Sequence, residues 1–143
     1  MTEALYSAAI LRLKLACEVP HRLSDPAGTA TRVSPVCGSK VVADVVLDAA
    51  GCIAALGLDA ARACTLGQAS AAVLMQVAPG LDAEALAATR QQLADFLAQR
   101  TAEAPEGWAM FAPARAHRAR HPSILLPLDA VIAALAAASQ AAA

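Results

Sequence analysis

Residues 41–58 read VVADVVLDAAGCIAALGL, and this stretch decides the fold. It holds two apolar runs, Val41–Leu47 and Ile53–Leu58, which are separated by the short link Asp48–Gly51. Short runs rich in valine and isoleucine are typical of strands, and a short link that closes on glycine is typical of a hairpin. The β-branched segment Thr29–Val33 precedes them, so the sequence predicts three strands in an antiparallel meander.

The spacing of the apolar residues along the sequence changes after the third predicted strand. Thr65–Ala78 contains no charged residue, and a helix that is apolar on nearly all sides is a buried one, which predicts that it packs on the sheet. Pro79 and Gly80 end this helix, and Asp82 is a suitable N-cap for the next one. The inward side chains of that next helix are predicted to be Leu86, Leu93, Phe96 and Leu97.

Two more helices are predicted nearer the ends of the chain. Residues 3–17 form the first, and its helically spaced side chains are Tyr6, Ile10, Leu13 and Cys17. The last helix is predicted to run from Ile124 or Pro127 to Ala138, because proline is tolerated only near a first helical turn. Residues 101–113 form a long connection anchored by Trp108 and Phe111. Residues 1–143 are therefore predicted to form one α+β domain, a three-stranded antiparallel sheet packed with helices.

The composition excludes several classes of protein. Among the 143 residues, 58% are hydrophobic and 16% are charged, which excludes a disordered chain. The net charge of −1 argues against nucleic-acid binding. The longest apolar run, Ala130–Ala138, is shorter than the roughly 20 residues of a membrane-spanning helix. Glu3 stands where a signal peptide would carry basic residues, so we expect a cytoplasmic protein that binds no membrane.

Four cysteines are the first candidates for chemistry. No CxxC pair occurs, and without an export signal we expect reduced thiols, which serve metal binding, reactivity or packing. Cys37 precedes a glycine at a junction between strands, and Cys64 stands at a helix N-terminus, a position that favours a reactive thiol. Cys17 and Cys52 are interpreted as packing residues.

Other motifs carry less information. The chain contains neither a nucleotide-binding glycine loop nor a Gly-x-Ser-x-Gly segment, so kinase and hydrolase functions have no support. His121 stands just before the last predicted helix. It is interpreted either as a ligand or as a residue that caps the helix or is solvated. The basic cluster from Arg115 to His121 is either a solvated face or a surface for an acidic partner.

Three short motifs, in this order, resemble the iron–sulfur cluster assembly scaffold family, which comprises IscU-type proteins, the N-terminal domain of NifU and a SufU-like branch. Pro35-Val36-Cys37-Gly38 resembles the family's Pro-x-Cys-Gly-Asp. Cys64-Thr65-Leu66-Gly67-Gln68-Ala69-Ser70 resembles its second cysteine segment. His121-Pro122-Ser123-Ile124-Leu125, with Asp129-Ala130 after it, looks like the family's His-Cys-Ser-Ile-Leu…Asp-Ala.

The resemblance implies a SufE/NifU-like α+β fold and the role of a scaffold or carrier rather than an enzyme. A cysteine desulfurase would deliver sulfur, and apo-proteins would accept the cluster. A transient [2Fe–2S] cluster or a zinc ion would be held by Cys37, Cys64 and His121, with Cys64 as the sulfur acceptor. Pro122 stands where the family has its third cysteine, and Ser39 stands where it has an aspartate.

An alternative function follows from these two departures. The chain would then be a degenerate family member, zinc-binding or apo, that acts as a regulatory or sulfur-transfer partner of a cysteine desulfurase. Metal content and visible absorption of protein purified without oxygen discriminate the two hypotheses. Iron with sulfide indicates a scaffold, whereas zinc alone indicates the alternative.

Overall fold

The structure, a computed structural model, describes residues 5–142 and contains a three-stranded antiparallel sheet in the order β1-β2-β3. Strand β1 covers Gly28–Val33, β2 covers Lys40–Leu47 and β3 covers Ile53–Arg62. The link between β2 and β3 is closed by hydrogen bonds from the Gly51 amide to the Asp48 carbonyl and from the Asp48 amide to the Cys52 carbonyl. The predicted meander and α+β class are confirmed.

Strand β3 continues beyond its predicted end at Leu58. Asp59 and the alanines that follow are poor strand formers, so the sequence pattern gives no sign of them. Pairing with Lys40 and Val42 of β2 holds them in the sheet as far as Arg62. Strand β3 therefore reaches almost to Cys64.

Four α-helices and two short 3-10 segments complete the described chain. The α-helices are α1 (Ala8–Ala16), α2 (Thr65–Val77), α3 (Ala83–Leu97) and α4 (His121–Ala142), and the 3-10 segments are Ala109–Ala116 and Arg118–Arg120. The Asp82 side chain accepts a hydrogen bond from the Ala85 amide at 2.8 Å, which confirms the predicted N-cap of α3. The predicted inward stripe of α3 is buried, as are Trp108 and Phe111.

Helix α2 lies at the centre of the core. Every residue from Leu66 to Leu74 is buried, and the helix contacts α1, α4 and β3. One face of the sheet packs toward the helices, and its β2 residues Val41, Ala43 and Val45 are fully buried. The charge-free sequence of α2 thus corresponds to burial on all sides, as predicted.

The first helix is shorter than predicted. Residues 3 and 4 of the predicted span lie outside the described residues, and α1 begins at Ala8, where the Ser7 hydroxyl accepts a hydrogen bond from the Ile10 amide. This N-cap fixes the start of the helix. Ile10 and Cys17 are buried, but Tyr6 precedes the helix and is 42% exposed, so its placement among the helically spaced side chains of this helix is wrong.

The last helix begins earlier than predicted, at His121, and Pro127 lies in its interior. The missing N–H of Pro127 means that the carbonyl of Ser123 receives no hydrogen bond from that position. The helix continues nevertheless, because Ile124, Leu128 and Val131 are fully buried on either side of the proline. Tertiary packing here outweighs the local preference of proline.

One helical stretch, Arg118–Ala141, is long and apolar enough to cross a membrane by length and composition. Half of its most apolar window is buried inside the protein. The α4 helix contacts β1, β2, α2 and α3, so its apolar side chains pack within the core of the protein.

The opposite face of the sheet, which we call the outer face, carries a buried carboxylate. Asp44 of β2 is fully buried and accepts hydrogen bonds from the Arg22 guanidinium at 2.6 and 3.1 Å, from the Thr29 hydroxyl at 2.8 Å and from the Leu23 amide at 3.1 Å. Burial alone would raise the pKa of Asp44, but these hydrogen bonds outweigh it and hold the pKa below its ordinary value. The carboxylate thus fastens the loop before β1 onto the sheet.

Replacing Asp44 tests this attachment. Because the pKa is depressed in the folded state, the carboxylate contributes stability above the ordinary carboxyl pKa of about 4 and loses it as the pH falls through the folded pKa. Asp44→Asn is expected to lower the free energy of unfolding at pH 7 by about 3 kcal/mol and to flatten its fall at acidic pH. Urea unfolding over a pH series measures both effects. Asp25→Asn, in an exposed position of the same loop, is the control, and equal losses in the two variants would contradict the account.

Candidate functional site

The turn between β1 and β2 presents Cys37 to solvent. The Ser34 amide donates to the Ser39 carbonyl at 2.8 Å, and the Gly38 amide donates to the Ser34 carbonyl at 2.9 Å. Gly38 has a φ of 74°, a left-handed conformation that glycine adopts without strain. The glycine after the cysteine therefore serves the turn, and Cys37 is exposed at its tip.

Cys64 reaches the same end of the sheet from the other side. It is the N-cap residue of α2, directly after β3, and it is half-buried. Its amide donates to the Ser39 hydroxyl at 3.2 Å, which joins the start of α2 to the β1–β2 turn. The predicted proximity of Cys37 and Cys64 follows from this junction.

The two thiols line one cavity of about 230 Å³, which we call the cysteine pocket. Its lining residues are Val36, Cys37, Cys64, Ala119, Arg120 and Ser123. Ser123 enters from the first turn of α4. The pocket therefore combines the β1–β2 turn, the start of α2 and the start of α4.

Two serine hydroxyls contact the sulfur of Cys37. The Ser39 oxygen lies 3.0 Å from Cys37 Sγ and the Ser123 oxygen lies 3.1 Å from it, and both serines are buried. Because Ser39 already accepts the Cys64 amide, its own proton is free to point at the sulfur. Hydrogen bonds from Ser123 and Ser39 lower the pKa of Cys37 to about 6. At neutral pH this thiol is therefore mainly a thiolate, the nucleophilic and metal-binding form.

The other predicted ligand, His121, is not among the lining residues of the cysteine pocket. Its Nε2 lies 2.9 Å from the Ala114 carbonyl, so this ring nitrogen is occupied by the backbone. Within residues 5–142, no group of three histidine, cysteine or acidic side chains is placed to hold a metal ion. The assignment of His121 as a ligand stays a prediction.

The two cysteines interpreted as packing residues lie elsewhere. Cys17 is buried in the core, and burial raises its pKa. Cys52 follows the β2–β3 link at the opposite end of β2 from the cysteine pocket. Neither lines the pocket.

Sequence reasoning missed the two serines as functional residues. Ser39 is noticed from the sequence only as a departure from the family's aspartate, and Ser123 only as part of a motif. The contact between Cys37 and Ser123 spans 86 positions, so no local pattern reveals it. A serine two positions after a turn cysteine is the one local signal that was available.

The chain is similar to several proteins of known structure. Neither the protein-family models nor the curated proteins gave a match. The chain is similar to the N-terminal part of a NifU-like nitrogen-fixation protein from Brucella abortus, with 31% identity, a TM-score of 0.85 and coverage of 95% of each chain. It is also similar in fold to a putative iron–sulfur cluster assembly scaffold protein for the SUF system from Fervidobacterium islandicum AW-1. That match has 19% identity, a TM-score of 0.75 and coverage of 92% of this chain and 96% of the other.

The two serine hydroxyls that contact Cys37 are expected to increase its reactivity toward alkylating agents. Ser39→Ala and Ser123→Ala each remove a hydrogen bond to the thiolate, so each is expected to raise the pKa of Cys37 toward the ordinary value of a thiol. Alkylation of Cys37 by iodoacetamide at pH 7 should slow by roughly tenfold when both changes are combined. Peptide mapping over a pH series measures the rate. Ser24→Ala, at an exposed site, is the control, and profiles that coincide with this control would disprove the role of the two serines.

Proposed function

Because this chain belongs to the family of NifU-like N-terminal domains, we propose that it works in iron–sulfur cluster assembly as a scaffold or carrier. Its cargo is sulfur, or a transient cluster, received at Cys37 and Cys64. The single observation that carries the proposal is the cysteine pocket, whose lining includes both cysteines and where two buried serine hydroxyls contact Cys37 Sγ. The partners we propose are a cysteine desulfurase as donor and apo-proteins as acceptors, all in the cytoplasm.

The donor set of the pocket favours a labile cargo. A [2Fe–2S] cluster takes four protein ligands, and a zinc ion takes three or four. Cys37 and Cys64 supply two thiolates, and His121 is a third donor only if its ring turns away from the Ala114 carbonyl or binds through its other nitrogen. Serine hydroxyls are weak ligands for soft metals. We therefore propose that any cluster held here borrows ligands from outside the chain.

The two serine hydroxyls at 3.0 and 3.1 Å from Cys37 Sγ, which lower the pKa of this thiol, favour a second function, sulfur transfer. In this reaction the Cys37 thiolate attacks the terminal sulfur of the donor's cysteine persulfide. A new S–S bond forms on Cys37 as the donor's S–S bond breaks, and the donor cysteine leaves as a thiolate, so no electrons are gained or lost overall. The surroundings of the two sulfurs favour Cys37 as the acceptor, rather than Cys64 as the sequence predicts.

Loading with sulfur tests the proposal directly. We expect the chain, incubated without oxygen with a cysteine desulfurase and cysteine, to gain one sulfur atom on Cys37, because that thiol is the better nucleophile. Mass spectrometry of alkylated peptides detects the gain. Cys37→Ser should abolish it, while the control Cys52→Ser should leave it unchanged. Sulfur carried by Cys52, or an unchanged gain in Cys37→Ser, would refute the assignment.

Restoring the family's third cysteine tests cluster binding. Residue 122 lies in the first turn of α4, next to Ser123, which contacts Cys37. Proline at this position has no helical partner for its nitrogen, so Pro122→Cys should cost little stability. After reconstitution with iron and sulfide, we expect cluster absorbance to decay several-fold more slowly in Pro122→Cys than in the parent chain.

A thiol placed on the same helix but away from the pocket is the matched control for this experiment. Ala136→Cys, at an exposed position of α4, should decay like the parent. Faster decay in His121→Ala would identify the imidazole as a ligand. Equal decay in Pro122→Cys and Ala136→Cys would contradict a cluster site at the cysteine pocket and favour sulfur transfer alone.

A further inference from the structure

A bulge near the end of β3 changes the direction of Arg62. Val42 pairs with Asp59 and Lys40 pairs with Arg62, so Ala60 and Ala61 together oppose the single residue Val41. Regular alternation would turn Arg62 to the same face as the buried Ala60. The extra residue reverses this, and Arg62 joins Lys40 on the outer face of the sheet.

Two side chains hold the bulge in place. Gln68 of α2 is buried and donates to the Ala60 carbonyl at 3.1 Å. The Asp59 carboxylate accepts the Ala61 amide at 3.1 Å. A bulge whose polar groups are satisfied from a buried helix is a fixed part of the fold, so the position of Arg62 is fixed with it.

Lys40 and Arg62 face one cavity of about 230 Å³, together with Val42 and Asp59, which we call the cationic pocket. Like charges directly across a strand pair repel each other and destabilise the sheet. In the part of the chain that the structure describes, neither cation forms an ion pair; the Asp59 carboxylate on the same lining accepts the Ala61 amide and offsets one of the two positive charges. An anion between the two cations would relieve this repulsion.

The cationic pocket lies at the same end of the sheet as the cysteine pocket. Lys40 directly follows Ser39, which contacts both cysteines, and Arg62 lies two positions before Cys64. Arg120 adds a third cation on the lining of the cysteine pocket itself. A protein that covers both the cysteine pocket and this end of the outer face would contact these cations as well.

We propose that the cationic pocket binds a carboxylate side chain from an acidic segment of the protein that exchanges sulfur or cluster at the cysteine pocket. This inference rests on the proposed function. A guanidinium beside an ammonium suits a carboxylate, which accepts several hydrogen bonds at once. Asp59 offsets part of the positive charge, which favours a singly charged carboxylate over a phosphate dianion. Such pairing orients the partner and speeds its association.

The surroundings of the pocket favour a protein as the occupant. Val33, directly across the strand pair from Lys40, is 55% exposed, and Val36 beside Cys37 is 61% exposed. Exposed apolar side chains next to charged ones are typical of protein interfaces, where a buried centre has a polar rim. The net charge of the chain, −1, gives no general attraction for polyanions.

Binding of a capped hexaglutamate peptide tests the proposal. We expect the peptide to bind the parent chain at low ionic strength and to dissociate as salt is added. Combining Lys40→Gln with Arg62→Gln should weaken binding about tenfold. Arg12→Gln removes one positive charge from an exposed site on α1 and should leave binding unchanged, whereas Lys40→Gln alone, which removes the same charge from the cationic pocket, should weaken it. Equal affinities in the double variant and Arg12→Gln, or tighter binding of inorganic phosphate than of the peptide, would overturn the proposal.

Stability gives a second measurement on the same residues. Lys40→Glu places opposite charges across the strand pair, so we expect a higher midpoint of thermal unfolding together with lost peptide binding. A lower midpoint would contradict the repulsion on which the proposal depends.

Loading by a route that needs no partner separates this proposal from the proposed function. Lys40→Gln with Arg62→Gln should take up iron and sulfide, added as inorganic salts, as well as the parent does, because neither side chain lines the cysteine pocket. If the parent takes up neither the inorganic salts nor sulfur from a desulfurase, the proposed function fails, and peptide binding alone then decides the docking proposal. If the double variant alone fails to take up iron and sulfide from inorganic salts, the two cations act in loading at the cysteine pocket, and the docking proposal is overturned.

Discussion

Burial of α2 on every side is the constraint on which the rest of the structure depends. A helix surrounded by α1, α4 and β3 can carry neither charge nor much bulk, and the residues from Leu66 to Leu74 obey both limits. A Cβ on Gly67 would lie 3.3 Å from the Ser123 carbonyl, so this glycine lets α4 pass close to α2. The same packing that makes the core therefore brings the start of α4 to the start of α2, where Cys64 lies.

The chemistry of the site follows from what this chain has in place of the family's ligands. Ser39 stands where the family motif that this segment resembles has an aspartate, and its hydroxyl contacts Cys37 Sγ and accepts the Cys64 amide. Ser123, next to the proline that replaces the third cysteine, gives the sulfur a second hydroxyl contact. Hydroxyl donors stabilise a thiolate without neutralising it, whereas a metal ligand set would need further thiolates or carboxylates. These contacts thus support the proposed sulfur transfer more than the binding of a permanent cluster.

Much of the fold was predictable because its signals are local. The valine-rich strands, the Asp48–Gly51 link and the charge-free α2 are each visible within a short window of sequence. The early start of α4 could not be predicted from the sequence. The buried side chains around Pro127 stabilise a helix there, although proline locally disfavours one. The position of Cys37 and Cys64 at one end of the sheet was predictable from strand ends and from family motifs. The serine contacts, the bulge at Ala60 and the backbone contact of His121 depend on tertiary packing, which no window of sequence contains.

We propose that Cys37 and Cys64 act together as one dithiol at this end of the sheet. Phenylarsine oxide, which bridges two neighbouring thiols, measures this most directly when its adducts are located by mass spectrometry under reducing, oxygen-free conditions. The account predicts one arsenic atom per chain, bound jointly by Cys37 and Cys64, lost in Cys37→Ser and in Cys64→Ser and retained in Cys52→Ser. An adduct that survives in Cys37→Ser, or a chain in which both thiols are freely alkylated after treatment, would contradict it.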